Sequence, residues 1–385
     1  MNRVYLDYSA TTPVDPRVLD AMVGAFGQNF GNASSVHSFG REARAIFEKS
    51  RETVSSLIGA KPDELFFTSG GTEADNHALK GLAAAALKKG RDEVVTSPVE
   101  HHAVLHSAEA LVKAGFKLIL VPVDAFGRVD PAEVKRVLGP KTALVSLMYA
   151  NNEVGTLNNI HEIGRIAREA GVPMHSDAVQ AVGKIAVNVE DLNVDVLSMA
   201  AHKFYGPKGI GAIFIRKGTR IDPFIEGGSQ ESNRRAGTEN VPLAVGFAKA
   251  AEIARESLQR NLLHISELKE RLRGLLTGRF KGILVNGHPT DSLPHILNIS
   301  FDASVREVDG DALIMGMDLL GVAVTSGSAC TSGSLQPSHV LLALGRDART
   351  ARATIRFSIG KETTGEELEY AVSALDQVLE KAQKR

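Results

Sequence analysis

The sequence predicts an α/β protein, with a large domain built on a mostly parallel sheet and a smaller α+β domain formed by the last third of the chain. Three observations carry that expectation. Short apolar runs alternate with amphipathic stretches from about residue 50 to 245, the pattern that strand–helix–strand crossovers produce. A long helical stretch, PLAVGFAKAAEIARESLQRNLLHISELKERLRGLL, then follows and is too extended for one crossover. Beyond it, strand-like runs mix with one closing amphipathic helix. At 385 residues the chain has room for two or three units of roughly 150 residues.

The runs ELFFTS, DEVVTSP, KLILVPV, ALVSLMY, VPMHSDA, DVLSMA and GAIFIR are short and rich in β-branched or large apolar residues, as buried strands are. Between them, EADNHALKGLAAAALKKG reads as a helix stopped by Gly90, and IHEIGRIAREAGV as one stopped by Gly171. After the long helix, ILNISF, VAVTSG and ATIRFSIG read as strands and EELEYAVSALDQVLEKAQKR as the last helix. The expected division is an N-terminal segment 1–14, a large domain 15–255 and a small domain 256–385. A catalytic crevice is expected where the two domains meet, beyond the carboxyl ends of the strands.

Composition narrows the function. Forty-four Lys and Arg against 45 Asp and Glu leave a net charge of -1, so no global field attracts nucleic acid or an anionic membrane. Apolar runs such as Val94-Val95 fall far below the roughly 20 residues of a membrane span. The start, MNRVYLDYSATTP, has no signal-like apolar core, so a cytoplasmic location is expected. The single cysteine, Cys330, rules out an intrachain disulfide and multi-cysteine zinc modules.

Three features carry chemistry. In ELFFTSGGTEADNHAL a strand runs through a Gly-rich turn into a helix, which aims free backbone N–H groups at an anion. Without the Lys-Ser/Thr ending of a nucleotide loop, Gly70, Gly71 and Thr72 suit a monophosphate. Lys203 ends the apolar run VDVLSMAA, where desolvation favours the neutral amine that Schiff-base chemistry needs. Asp177 ends another buried run, where a carboxylate needs a cation such as a protonated pyridine nitrogen. Each has a structural alternative: a plain turn, a lysine snorkelling from a strand end, a helix N-cap. Together, in this order along one α/β domain, they meet the needs of pyridoxal phosphate.

The stretches YLDYSATTPVDPRV, FGNASSVHSFG, FTSGGTEADNHALKG, VEHHAVL, YANNEVGT, HSDAVQAVGK, AAHKFYGPKGIGA, RRAGTENVP, TSGSACTSGSLQPSHVL and IRFSIG extend this nearly end to end. Through them the chain resembles the class V aminotransferase-like branch of fold-type I pyridoxal 5'-phosphate (PLP) enzymes, and within it the NifS/IscS-type cysteine desulfurases. The resemblance implies Lys203 as the Schiff-base lysine, Asp177 on the pyridine nitrogen and His101 stacked on the ring. It implies Gln180 on the ring hydroxyl, with Asn152 beside that oxygen and the substrate. Gly71, Thr72 and His202 become the phosphate cradle, with Thr238 reaching in from a neighbouring subunit, and Arg356 grips the substrate carboxylate. The chain departs from the family at Ala200, where a phosphate-binding serine is usual.

Around Cys330 every residue of TSGSACTSGS is small or polar, so this loop buries little apolar area and an exposed, nucleophilic thiol is expected. The family places its catalytic cysteine here, and the long loop resembles group I members. His102 and His106 share helical spacing but lack the other signs of a zinc site, and His37 and His175 read as hydrogen-bonding residues. Arg234-Arg235, just before Thr238, reads as an active-site loop near a subunit boundary. The glycines of YGPKGIGA are a weak match to a dinucleotide turn. The resemblance therefore implies conversion of L-cysteine to L-alanine with a persulfide on Cys330 and His101 as a proton carrier. It implies a homodimer and a sulfur acceptor such as an iron–sulfur scaffold or a tRNA thiolation enzyme, with no nucleic acid or membrane bound directly. No resident metal is expected, although the position of Cys330 leaves it open to transient ligation of an iron–sulfur cluster. A selenocysteine lyase, a small-amino-acid aminotransferase and a sulfur carrier without cofactor chemistry are the alternatives.

Overall fold

A computed structural model of the chain describes residues 3–327 and 336–383; Cys330 lies outside the described residues. In chain order the strands are β1 (Val4–Tyr5), β2 (Leu65–Thr68), β3 (Glu93–Thr96), β4 (Lys117–Leu120), β5 (Thr142–Ser146), β6 (Met174–Asp177), β7 (Val196–Ala200), β8 (Gly211–Ile215), β9 (Ile283–Asn286), β10 (Ile296–Phe301), β11 (Val322–Ala323) and β12 (Thr354–Ser358). Seven of them form one sheet in the order β2-β8-β7-β6-β5-β3-β4. Pairing is parallel from β7 through β6, β5 and β3 to β4, and antiparallel on both sides of β8. The exception has a simple cause: only a short turned segment joins β7 to β8, and a parallel return needs a crossover of a dozen or more residues. Because β8 reverses twice, β2 points the same way as β7, and its Gly-rich turn opens at the same end of the sheet as Asp177 and Ala200.

The helices sit where composition places them. Gly71–Leu87 ends before Gly90, whose φ is 71°, and Ile160–Glu169 ends before Gly171, whose φ is 62°; both are left-handed positions that glycine takes without strain. The long helix runs Val241–Arg279, its start capped by the Asn240 side chain, which accepts from Leu243 N–H at 3.1 Å. Its first half buries Ala244, Phe247 and Ala251 against the seven-stranded sheet. Its second half buries Leu268, Leu272 and Leu276 in a separate core with Ile299, Phe357 and Leu375.

That second core holds a three-stranded antiparallel sheet, β12-β10-β9, and the closing helix Gly365–Gln383. The run VAVTSG contributes only β11, which pairs in parallel with β1 at the start of the chain. Val4 and Leu6 thus belong to the core of the last third. Residues 7–12 then cross to the end of the large sheet: Arg356 donates to Asp7 there, and the Ser9 and Ala10 carbonyls meet Lys203.

Candidate active site

Beyond the carboxyl ends of β2, β5, β6 and β7 lies a cavity of about 220 Å³. Gly71, Thr72, His101, Asn152, Asp177, Gln180, His202 and Lys203 all line it, with Asp75 and Ala200. Arg356 sits at its edge: one guanidinium N–H goes to the Asn152 carbonyl at 2.8 Å and another to Asp7 Oδ1 at 2.8 Å. Thr238 does not line this cavity; it stands exposed after the Arg234-Arg235 pair.

Local geometry explains each placement. Gly211 pairs opposite Thr68, and a Cβ there would come within 2.6 Å of both the Gly70 carbon and the Met199 oxygen, so this glycine lets the turn close against the sheet. A Cβ on Gly71 would meet Val179 at 2.7 Å. The turn therefore packs bare backbone against the next layer and leaves the N-terminus of a 17-residue helix open to the cavity. His202 lies beside it, its Nδ1 at 3.1 Å from Thr11 Oγ1. Burial, then the charges of Lys203 and Lys208, pull His202 down to about 4.

Lys203 ends a single 3-10 turn directly after β7, and its amine donates to the Ser9 and Ala10 carbonyls at 2.7 and 2.9 Å. Burial first, then Arg356, lower its pKa to about 8, while Asp177 and Asp7 act the other way. Asp177 accepts from Val179 N–H at 2.9 Å through Oδ1, an N-cap-like bond although no α-helix follows. The residue lines the cavity. Burial pushes this carboxyl up to about 6 against the pull of the Val179 bond and Lys203.

Asp75 is fully buried on the helix Gly71–Leu87, its Oδ1 without a hydrogen-bond partner and 3.7 Å from His175 Nε2. Burial, then Asp177, hold it well above the ordinary carboxyl range. His175 is itself enclosed between Ser146 and Ser198, at 2.8 and 3.0 Å, and burial lowers it to about 3. It is a hydrogen-bonding residue beneath the cavity, as the sequence suggests. Sequence reasoning missed Asp75. The signal was an acid at i with Ala78, Leu79 and Leu82 at i+3, i+4 and i+7, on the apolar face of its helix.

His101 caps the helix His102–Lys113, its Nδ1 accepting from Ala103 N–H at 3.1 Å. That bond assigns the ring proton to Nε2. Burial, then Lys203, lower its pKa to about 4, so a neutral ring with one N–H borders the cavity. The His102 and His106 rings stack at 5.0 Å on the same helix.

Around the loop that carries Cys330, the described flanks are anchored near Arg356. Arg356 N–H donates to the Thr325 carbonyl at 2.6 Å, and Ser338 Oγ donates to the buried Glu153 at 2.5 Å. Glu153 follows Asn152 directly and touches the space a Cβ on Gly327 would fill. Neither Glu153 nor its role in holding both flanks was read from YANNEVGT.

The residues present fit a phosphorylated heteroaromatic aldehyde: an amine for the aldehyde, a carboxyl for a protonatable ring nitrogen, and an open helix N-terminus for the phosphate. The aminotransferase class-V family matches residues 4–371, and the chain belongs to that family. Cysteine desulfurase IscS of Dictyoglomus turgidum is 48% identical over 378 residues, 98% of this chain and 95% of that one. A solved NifS-like protein superposes with a TM-score of 0.91 at 40% identity, covering 98% of this chain and all of that one. The structure of SspA in complex with cysteine covers 94% of this chain and 100% of that one, at 32% identity and a TM-score of 0.81. Within the class-V family the chain is one of the NifS/IscS-type cysteine desulfurases, fold-type I enzymes that depend on PLP.

Proposed function

We propose that this enzyme converts L-cysteine to L-alanine and receives the sulfur as a persulfide on Cys330. One observation carries the assignment of roles: a desolvated amine, a buried carboxyl and an open helix N-terminus surround one cavity, with a guanidinium at its edge. Gly71, Thr72 and His202 would hold the cofactor phosphate, Asp177 its ring nitrogen, Gln180 its ring oxygen, and Lys203 its aldehyde carbon. Bound there, PLP supplies an electron sink for the bonds at the substrate's Cα.

The chain's residues supply the rest. Arg356 presents a planar fork to the substrate carboxylate, and Asn152 borders the same space. With its pKa near 8, Lys203 takes and returns a proton at Cα close to neutral pH. The Cys330 thiolate attacks the substrate sulfur. The new S–S bond forms as the carbon–sulfur bond breaks, the electron pair stays with carbon, and a proton delivered there gives alanine. His101, which lines the cavity and carries its ring proton on Nε2, serves as that proton carrier.

A homodimer completes the reading. Leu19, Val23 and Phe26 form an exposed apolar row on the helix Pro16–Gln28, continued by Phe30, Val36 and Phe39, and such a patch supports a second copy as its cover. Thr238 would then reach the neighbour's phosphate. We place the protein in the cytoplasm; among the described residues no helix is long and apolar enough to cross a membrane. An iron–sulfur scaffold or a tRNA thiolation enzyme would take the sulfur, with Cys330 as the point of transfer. The division at residue 255 is supported by the two cores meeting along the long helix.

The test is to give L-cysteine to purified PLP-loaded protein and follow alanine together with the mass of the Cys330 peptide. Alanine with a gain of one sulfur on that peptide is expected. Cys330→Ser should keep the cofactor absorbance and lose the persulfide; normal sulfur transfer in that variant refutes the nucleophile.

A further inference from the structure

One buried base has no part in the chemistry above. Lys184 follows Gly183, whose φ is 76° and where a Cβ would come within 2.6 Å of the Phe204 ring. This forced turn carries Lys184 under the cavity with its amine end enclosed. The amine contacts two neutral groups, Gln180 Oε1 at 3.3 Å and His295 Nε2 at 2.8 Å. Gln180 in turn donates its Nε2–H to the Ser9 carbonyl at 2.9 Å, the same carbonyl that accepts from Lys203 at 2.7 Å.

This chain of contacts fixes an orientation. A carbonyl only accepts, so the amide nitrogen of Gln180 must face Ser9, and the amide oxygen is left for the Lys184 amine. The second N–H of Gln180 is then free for an acceptor in the cavity that Gln180 lines. At the other end, His295 immediately precedes β10, and Asn298 of β10 is the register partner of Arg356. His295 also accepts Ile359 N–H at 2.8 Å through its carbonyl.

We infer that Lys184 is a positioning residue: its amine holds the Gln180 amide with the N–H end toward the cofactor and, through His295, ties the cavity floor to the sheet that carries Arg356. Burial, reinforced by Lys203 and Arg356, pulls Lys184 well below the ordinary lysine value, and burial with Lys184 and Lys269 does the same to His295. Both partners are thus neutral-leaning bases whose geometry, rather than net charge, makes the link.

The inference rests on the cavity being the PLP site, and its test separates the two arms of the link in PLP-loaded protein. In Lys184→Met, the pH midpoint of the cofactor's visible absorbance should move by about half a unit or more, and KM for L-cysteine should rise about 3- to 10-fold. His295→Leu should raise KM by a similar factor and leave the midpoint in place. A wild-type midpoint in Lys184→Met, or a wild-type KM in His295→Leu, overturns the inference. Thermal melts and cofactor content establish that each variant folds; if Lys184→Met does not, His295→Leu decides the tie. A native protein whose absorbance titrates but which makes no alanine sinks the proposed activity and leaves the spectral arm standing.

Discussion

Only a neutral amine adds to an aldehyde, so the acidity of Lys203 sets how fast the cofactor-stripped protein can capture PLP. At the ordinary lysine value of 10.5, about one amine in a thousand is neutral at pH 7.5. At about 8 the fraction is about a quarter, a gain of a few hundred-fold. Stopped-flow mixing with PLP, followed at the visible band across pH, should therefore show a rate that climbs about tenfold per pH unit and flattens above about 8. Burial is the main cause of the shift and Arg356 the next, so Arg356→Gln should move the flattening point upward and Asp177→Asn downward. A rate that keeps climbing in a straight line to about pH 10 would refute the reasoning. The sign extends to stability. The folded-state pKa lies below the unfolded one, so the unfolded chain binds more protons between about 8 and 10.5 and stability rises with pH through that window. Below it the full penalty, about 3 kcal/mol, stands against the apo fold. Loading with PLP removes the free amine, and the melting temperature at neutral pH should rise accordingly.

Two further outcomes follow from contacts already described. Gly211→Ala puts a methyl 2.6 Å from the Gly70 carbon and the Met199 oxygen. It should destabilise the fold by about 2 kcal/mol or more and loosen PLP about tenfold, and an unchanged melt with unchanged PLP retention would contradict the packing account of the turn. Phe26→Glu places a charge in the exposed apolar row. Sedimentation should show a monomer at concentrations where the native chain is paired, and a variant that stays paired means another surface makes the dimer.

Much of this was legible in the sequence because it rests on local pattern. Every one of the seven expected large-sheet runs became a strand, since a short β-branched stretch between turn residues has few other ways to bury itself. Lys203 and Asp177 were legible for the same reason: each is a chargeable residue at the end of such a run. The mostly parallel sheet was legible too, but the reversal at β8 was not, because it depends on how little chain separates β8 from β7. Strand β9 was missed, as only Ile283 to Asn286 form it and no side of it alternates cleanly. The roles of Asp7, Glu153 and His295 were hidden too. Each acts across more than a hundred residues of chain, on Arg356, Ser338 and Lys184 respectively, and no spacing rule reaches that far.

The pairing of Val4 with Val322 has a consequence for biosynthesis. The opening residues leave the ribosome first, yet their strand partner emerges more than three hundred residues later. Until then, nothing from the last third holds Ser9 and Ala10 over Lys203, so the nascent large domain carries an unfinished amine site. The contribution of the last third to this segment therefore comes late in synthesis, whereas Gln180 and His202, which also bind it, lie within the large domain itself.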